Sequence, residues 1–168
     1  MSAFAAPLAQ LGPLLASHVL LSAAALGLAL LVSVPLAVLA ARRPRLRGVA
    51  LGFASLVQTI PGLALLALFY PLLLALSALV GGGVPALGFL PSLLALALYA
   101  VLPILRNGVA GLTGIDPAVL EAADGVGMTP GQRLRLVELP LAAPVMMAGI
   151  RTAAVWTIGT ATLSTTVG

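Results

Sequence analysis

Long apolar runs separated by brief polar interruptions make up almost the whole chain. Residues 18–41, HVLLSAAALGLALLVSVPLAVLAA, are 24 positions without a formal charge, and a helical crossing of a hydrocarbon core takes about 20 apolar residues. Within that run small residues recur at four-residue spacing, Ala25 and Ala29, then Ser33 and Ala37. They form one helical face that lets a neighbour approach closely. Pro35 predicts a kink. Residues 48–80 are 33 uncharged positions; as one straight helix they would be about 50 Å long and overshoot a core of about 30 Å. The expected break lies at Gln58-Thr59-Ile60-Pro61-Gly62, where proline removes a helical hydrogen bond and glycine adds freedom. GGGVPALGFLP at 81–91 reads as a loop. A third apolar stretch, 92–105, draws its ends from 88–91 and 108–112, and a last one runs from residue 141. The expected spans are 18–41, 50–80, 90–110 and 141–165, with a polar loop at 113–140.

That loop breaks the pattern. Residues 121–140, EAADGVGMTPGQRLRLVELP, hold three of the four carboxylates in the chain and two of its eight arginines. Asp116-Pro117 predicts a helix start, because the carboxylate accepts orphan amide bonds and proline has none to lose. A short helix is expected from Pro117 to about Asp124, stopped by Gly125 and Gly127. Thr129-Pro130-Gly131-Gln132 matches a capping box at the start of the next helix. Pro140 and Pro144 are expected to limit that helix or kink it into the last span.

Composition turns these helices into a membrane protein. The chain is 61% hydrophobic and 7% charged, with a mean hydropathy of +1.21, too little polar surface to cover a water-soluble globule. All eight basic residues are arginine, so the phosphate-gripping lysine of a P-loop is missing. With no cysteine and one histidine, His18, thiolate or zinc chemistry has no ligand set. No catalytic group, cofactor or metal is therefore expected. The net charge of +4 is a topology signal rather than a sign of nucleic acid. Arg42, Arg43, Arg45 and Arg47 follow the first span directly, and Arg106, Arg133 and Arg135 lie in or beside the polar loop. The positive-inside rule places loops 42–47 and 106–140 in the cytoplasm and the N-terminus outside. An anionic-lipid site is the sharper reading of the first cluster.

Two capped helices joined by a turn also suit a DNA-binding helix-turn-helix, but the basic residues are too few and the context is membrane. Glu121-Ala122-Ala123, Gly127 and Val137-Glu138-Leu139-Pro140 instead fit E-A-A, three residues, G, nine residues, an aliphatic, any residue, L-P. The stretch resembles the EAA loop of permease subunits of binding-protein-dependent ABC importers. QTIPGLALLAL at 58–68, YAVLPILRNGVAG at 99–111 and ELPLAAPVMMAGIRTAAVWTIGTATL at 138–163 are similar to the osmoprotectant subgroup, which imports glycine betaine, choline and carnitine.

The resemblance implies an all-α integral membrane fold, a type I ABC importer permease-like bundle with about four spans and cytoplasmic coupling helices, in a prokaryotic cytoplasmic membrane. It implies no enzymatic activity of the chain itself. The implied partners are a separate ABC ATPase, an extracytoplasmic substrate-binding protein, a second permease copy, identical or related, and the lipid membrane. Glu121, Ala122, Ala123 and Gly127 would dock the ATPase; Val137, Leu139 and Pro140 close the motif. Val119, Leu120 and Ala123 share a helical face that suits an apolar groove. Nearby alternatives are an importer of another small solute, such as an amino acid, and a non-transporting scaffold. Gln58, Thr59 and Pro61 read either as the lining of a solute path or as a packing kink. Arg151, within the last span, reads as an edge residue that snorkels or pairs, or as a pathway residue. Trp156 reads as an interfacial anchor, a packing aromatic or a cation-π face. Family members continue beyond a glycine-rich turn into a further helix, whereas residues 165–168 end this sequence, so the resemblance implies a C-terminally incomplete membrane body.

Overall fold

The computed structural model describes residues 5–162, with side chains described from residue 11 onward. All regular structure among the described residues is helical: α1 (Ala5–Arg42), α2 (Pro44–Thr59), α3 (Gly62–Leu79), α4 (Phe89–Thr113), α5 (Pro117–Gly125), α6 (Pro130–Arg133), a π-helical turn (Leu134–Glu138) and α7 (Leu139–Ala161). Four helical stretches are long and apolar enough to cross a membrane: Leu11–Arg42, Gly62–Leu79, Phe89–Thr113 and Pro130–Ala161. Large apolar side chains such as Leu31, Phe53 and Leu79 stand exposed on the outside, a surface for lipid rather than water.

Helix α4 is the axis of the bundle. More than half of its 25 residues are buried, and it packs most extensively on α1 and α7, with α2 and α3 on a further flank. Small residues allow this. The stripe Ala25, Ala29, Ser33 and Ala37 is at most 1% exposed, and the Ser33 hydroxyl donates to the Val101 carbonyl at 3.4 Å. A methyl group on Gly108 would lie 2.8 Å from the Ala37 Cβ, and one on Gly149 of α7 would lie 2.6 Å from both the Asn107 Cβ and the Pro103 carbonyl oxygen. Without a hydrophobic drive between helices in lipid, such close backbone packing is what holds them together.

Three expectations need correction. Residues 42–47 do not form a loop: Arg43 alone separates α1 from α2, and Arg45 and Arg47 lie in the first turns of α2. The reason is Pro44, which occupies the first helical position, where its fixed φ suits a helix and its missing N–H costs nothing. The stretch 50–80 breaks at Ile60-Pro61, within the expected Gln58–Gly62, but it is two helices rather than one broken span, and only α3 meets the length and composition of a crossing. Third, of the two outcomes expected at Pro140 and Pro144, the helix does not end there but continues into the last span, reaching Ala161 without a gap. The π turn just before Pro140 widens the backbone where the proline ring would otherwise strike the carbonyl of residue 136. Pro35 likewise lies inside an uninterrupted α1. The end of the expected last span, beyond residue 162, lies outside the described residues.

Candidate functional site

The polar loop is built by caps at both ends of α5. The amide of Ala118 donates to Asp116 Oδ1 at 2.9 Å, with Pro117 first in the helix. At the other end Met128 N–H donates to the Ala123 carbonyl (3.2 Å) and Gly127 N–H to the Asp124 carbonyl (3.0 Å). Those two bonds close the helix end in the manner of a Schellman motif, and the turn needs Gly127 at φ 82°, a region that a side chain disfavours. Two residues later Thr129 caps α6 with both bonds of a capping box: Thr129 N–H donates to Gln132 Oε1 at 2.8 Å, and Gln132 N–H to the Thr129 hydroxyl at 3.4 Å. The turn between α5 and α6 is thus specified residue by residue.

The motif residues separate into two groups. Glu121 and Ala122 are exposed, and Val119 is 39% exposed. Ala123 is buried within its own chain, which corrects the expectation that it shares an outward apolar face with Val119. The spacing is helical, but Ala123 is covered where Val119 is not, and the principal neighbour of α5 is α6. Beside α5 a cavity of about 340 Å³ is lined by Gly111, Ile115, Asp116, Val119, Leu141 and Val145, among others. Val137 and Leu139 are half-buried at the π turn and the start of α7, and Pro140 is exposed.

Glu138, at the motif's unrestricted position, is the residue that sequence reasoning missed. It is 8% exposed and accepts from two arginines on separate elements. Arg133 Nε donates to Oε1 at 2.9 Å, and Arg42 Nη2 lies 3.3 Å from Oε1 and 3.2 Å from Oε2. Arg133 also donates through Nη1 to Asp124 Oδ2 at 2.5 Å. Four charges, two of each sign, therefore join the end of α1, the end of α5, α6 and the π turn. A signal was present: Glu138 is the only carboxylate after Asp124, set against an apolar run where an unpaired charge is expensive.

The residues expected to line a pathway do not converge. Gln58 donates from Nε2 to the Tyr99 carbonyl at 3.1 Å, and the Tyr99 hydroxyl donates to the Ile60 carbonyl. This reciprocal pair pins the break between α2 and α3 to α4, inside an apolar cluster of Val57, Leu65, Leu66 and Ala95. Thr59 is spent on the Leu56 carbonyl of its own helix (2.7 Å), and Pro61 is exposed. Arg151 and Trp156 sit exposed on α7, and α3 and α7 each pack principally on α4 rather than on each other. His18 is half-buried and lines a cavity of about 240 Å³ with Ser22, Leu26, Ala154 and Ile158. No group of three potential metal ligands occurs among the described residues.

The geometry is that of a helical membrane bundle carrying a doubly capped polar hairpin, and sequence comparison identifies its family. Residues 33–168 match the binding-protein-dependent transport system inner membrane component family, and the chain belongs to that family. It is 45% identical over 151 residues to the choline transport system permease protein OpuBB of Bacillus subtilis, covering 90% of this chain and 64% of the relative. It is 44% identical to the osmoprotectant import permease protein OsmW of Salmonella typhimurium, covering 90% and 67%. A glycine betaine/carnitine/choline transport system permease protein of Bacillus subtilis, OpuCB, is 43% identical, with 90% and 64% covered. The chain thus spans about two thirds of the length of these relatives. It is a multi-pass membrane protein of a permease family rather than an enzyme family.

Proposed function

We propose that this chain forms the membrane body of an ATP-driven importer of quaternary ammonium osmoprotectants, coupled through residues 113–140 to a separate ATPase. The observation that carries the reading is the α5–α6 hairpin: its caps make it rigid, and it presents Glu121 and Ala122 outward while its base is held to α1 by the Arg42–Glu138 ion pair. A rigid projection of this kind passes a rigid-body motion from a motor to a membrane bundle. Glu121 and Ala122 form the contact to the ATPase; Ala123 and Gly127 shape the helix end that presents them. The similarity to choline, glycine betaine and carnitine permeases supports the solute class.

An extracytoplasmic binding protein delivers the solute, and a second permease subunit completes the path. The arginines support a cytoplasmic hairpin and an outside N-terminus: Arg42, at the end of α1, meets Glu138 at the hairpin's base, so both basic regions share one end of the bundle. One tryptophan does not by itself make an aromatic cage, so Trp156, exposed on α7, is assigned no role in solute selection.

The test is uptake by the reconstituted complex in vesicles, with choline, glycine betaine, carnitine and methionine in competition. Accumulation that needs ATP and is competed by the quaternary amines, not by methionine, is the expected result. Competition by methionine alone identifies an amino-acid importer, and no ATP-dependent accumulation refutes import.

A further inference from the structure

The four-charge cluster sits where a motor's motion has to enter the membrane bundle, and the docking residues leave its purpose unexplained. Burying a carboxylate is costly unless it is paired and hydrogen-bonded. The side chain of Glu138 is only 10% exposed and stands on a π-helical turn, an irregularity that frequently marks functional positions. Its two arginines come from opposite ends of the sequence: Arg133 from the α5–α6 hairpin, five residues away, and Arg42 from the end of α1, 96 residues away. Arg133 extends the chain of pairs to Asp124, next to the last residue of α5.

The connectivity gives the cluster a direction. Helix α7 receives movement of the hairpin covalently, because α6, the π turn and α7 are continuous. Helix α1 has no such link: α2, α3 and α4 stand between it and the hairpin in the chain. Its end meets the hairpin base through Arg42 alone among the described ion pairs. Helices α1 and α7 pack on α4 and on each other through apolar and small side chains, and at the hairpin end the ion pair adds a directional, charged link between them.

We propose that Glu138 is a positioning residue that ties α1 to the coupling hairpin, so that the motor's stroke, entering through α5, moves α1 and α7 together. This rests on the importer reading above. A hydrogen-bonded charge pair is well matched to such a joint. It holds firmly at its resting geometry and, unlike a covalent continuation, permits the small rotation that a rocking bundle requires.

The experiment uses the complete importer, with ATPase, both permease subunits and binding protein, in vesicles. Choline uptake and ATP hydrolysis are measured on one preparation. Glu138→Gln keeps the shape and removes the charge. Its complex is expected to co-purify with the ATPase at wild-type stoichiometry and to keep hydrolysing ATP. The choline imported per ATP falls about tenfold, within the range that breaking one link of a coupling network produces. Arg42→Gln breaks the same link from the α1 side and gives the same fall, and the double variant is no worse than either single one. Glu138→Asp, which keeps the charge, restores part of the ratio.

An unchanged ratio in Glu138→Gln overturns the proposal. So does loss of the ATPase from that complex, which makes the cluster an assembly clamp, or losses that multiply in the double variant. Failure of the wild-type complex to import choline, glycine betaine, carnitine or methionine is a separate outcome: it refutes the importer reading before any variant is compared.

Discussion

Replacing Gly149 by alanine tests a close helix crossing, that of α7 on α4. The added methyl would lie 2.6 Å from the Pro103 carbonyl oxygen and 2.6 Å from the Asn107 Cβ, whereas ordinary contact begins near 3.4 Å. Neither neighbour can swing aside: the oxygen is backbone and already accepts from Asn107 Nδ2 at 2.8 Å. Helix α7 must therefore retreat by nearly the whole shortfall. A gap of about 0.5–1 Å forfeits a quarter to a half of the dispersion energy of the facing atoms, here including Ala142 and Ala153, both fully buried. Overpacking of this kind costs about 1–3 kcal/mol, set against a gain of up to about 1 kcal/mol from the better helix propensity of alanine. The clash wins, by up to about 2 kcal/mol. At about 2–4 °C per kcal/mol for a chain of this size, the thermal midpoint in detergent drops by up to about 8 °C. Gly159→Ala is the control, since nothing lies within 4 Å of its added methyl, and it holds or raises the midpoint. A Gly149→Ala protein as stable as the Gly159→Ala protein would refute the claim that backbone proximity holds α7 to α4.

Three further predictions concern the break and the hairpin. Tyr99→Phe leaves the Ile60 carbonyl without its donor and costs about 1–3 kcal/mol, read as a lower thermal midpoint; wild-type stability would show that the carbonyl finds another partner. Thr129→Ala removes the cap of α6 for about 1 kcal/mol. Amide exchange across residues 126–133 then speeds up about fivefold, and unchanged protection would count against the capping box. Glu121→Arg reverses the charge on the exposed face of α5; ATPase co-purification is expected to fall while membrane insertion stays intact, and undiminished co-purification would remove Glu121 from the contact.

Signals in the sequence are legible wherever the chemistry behind them is local. Asp116-Pro117 and Thr129-Pro130 start helices because side chain and amide lie within three residues of each other. The glycines at 81–83, all at positive φ, mark their loop. The small-residue stripe of α1 predicts a close neighbour, though not that α4 is that neighbour. Gln58 is legible as polar and placed at a break, and it takes the packed structure to show its amide spent on Tyr99.

By itself, then, the sequence determined a helical membrane protein, the break at Ile60-Pro61, the capped hairpin and, through its motif, the permease family. Each is encoded by residue type at short range or by hydropathy summed along one helix. Only the tertiary structure decided that α4 is the axis, that Ala123 faces inward, that α6 runs on into α7 through a π turn, and that Glu138 joins Arg133 to Arg42. Such choices depend on which helices meet and on the cost of leaving a charge unpaired once they do, and a contact across 96 positions leaves no periodic trace in the order of residues.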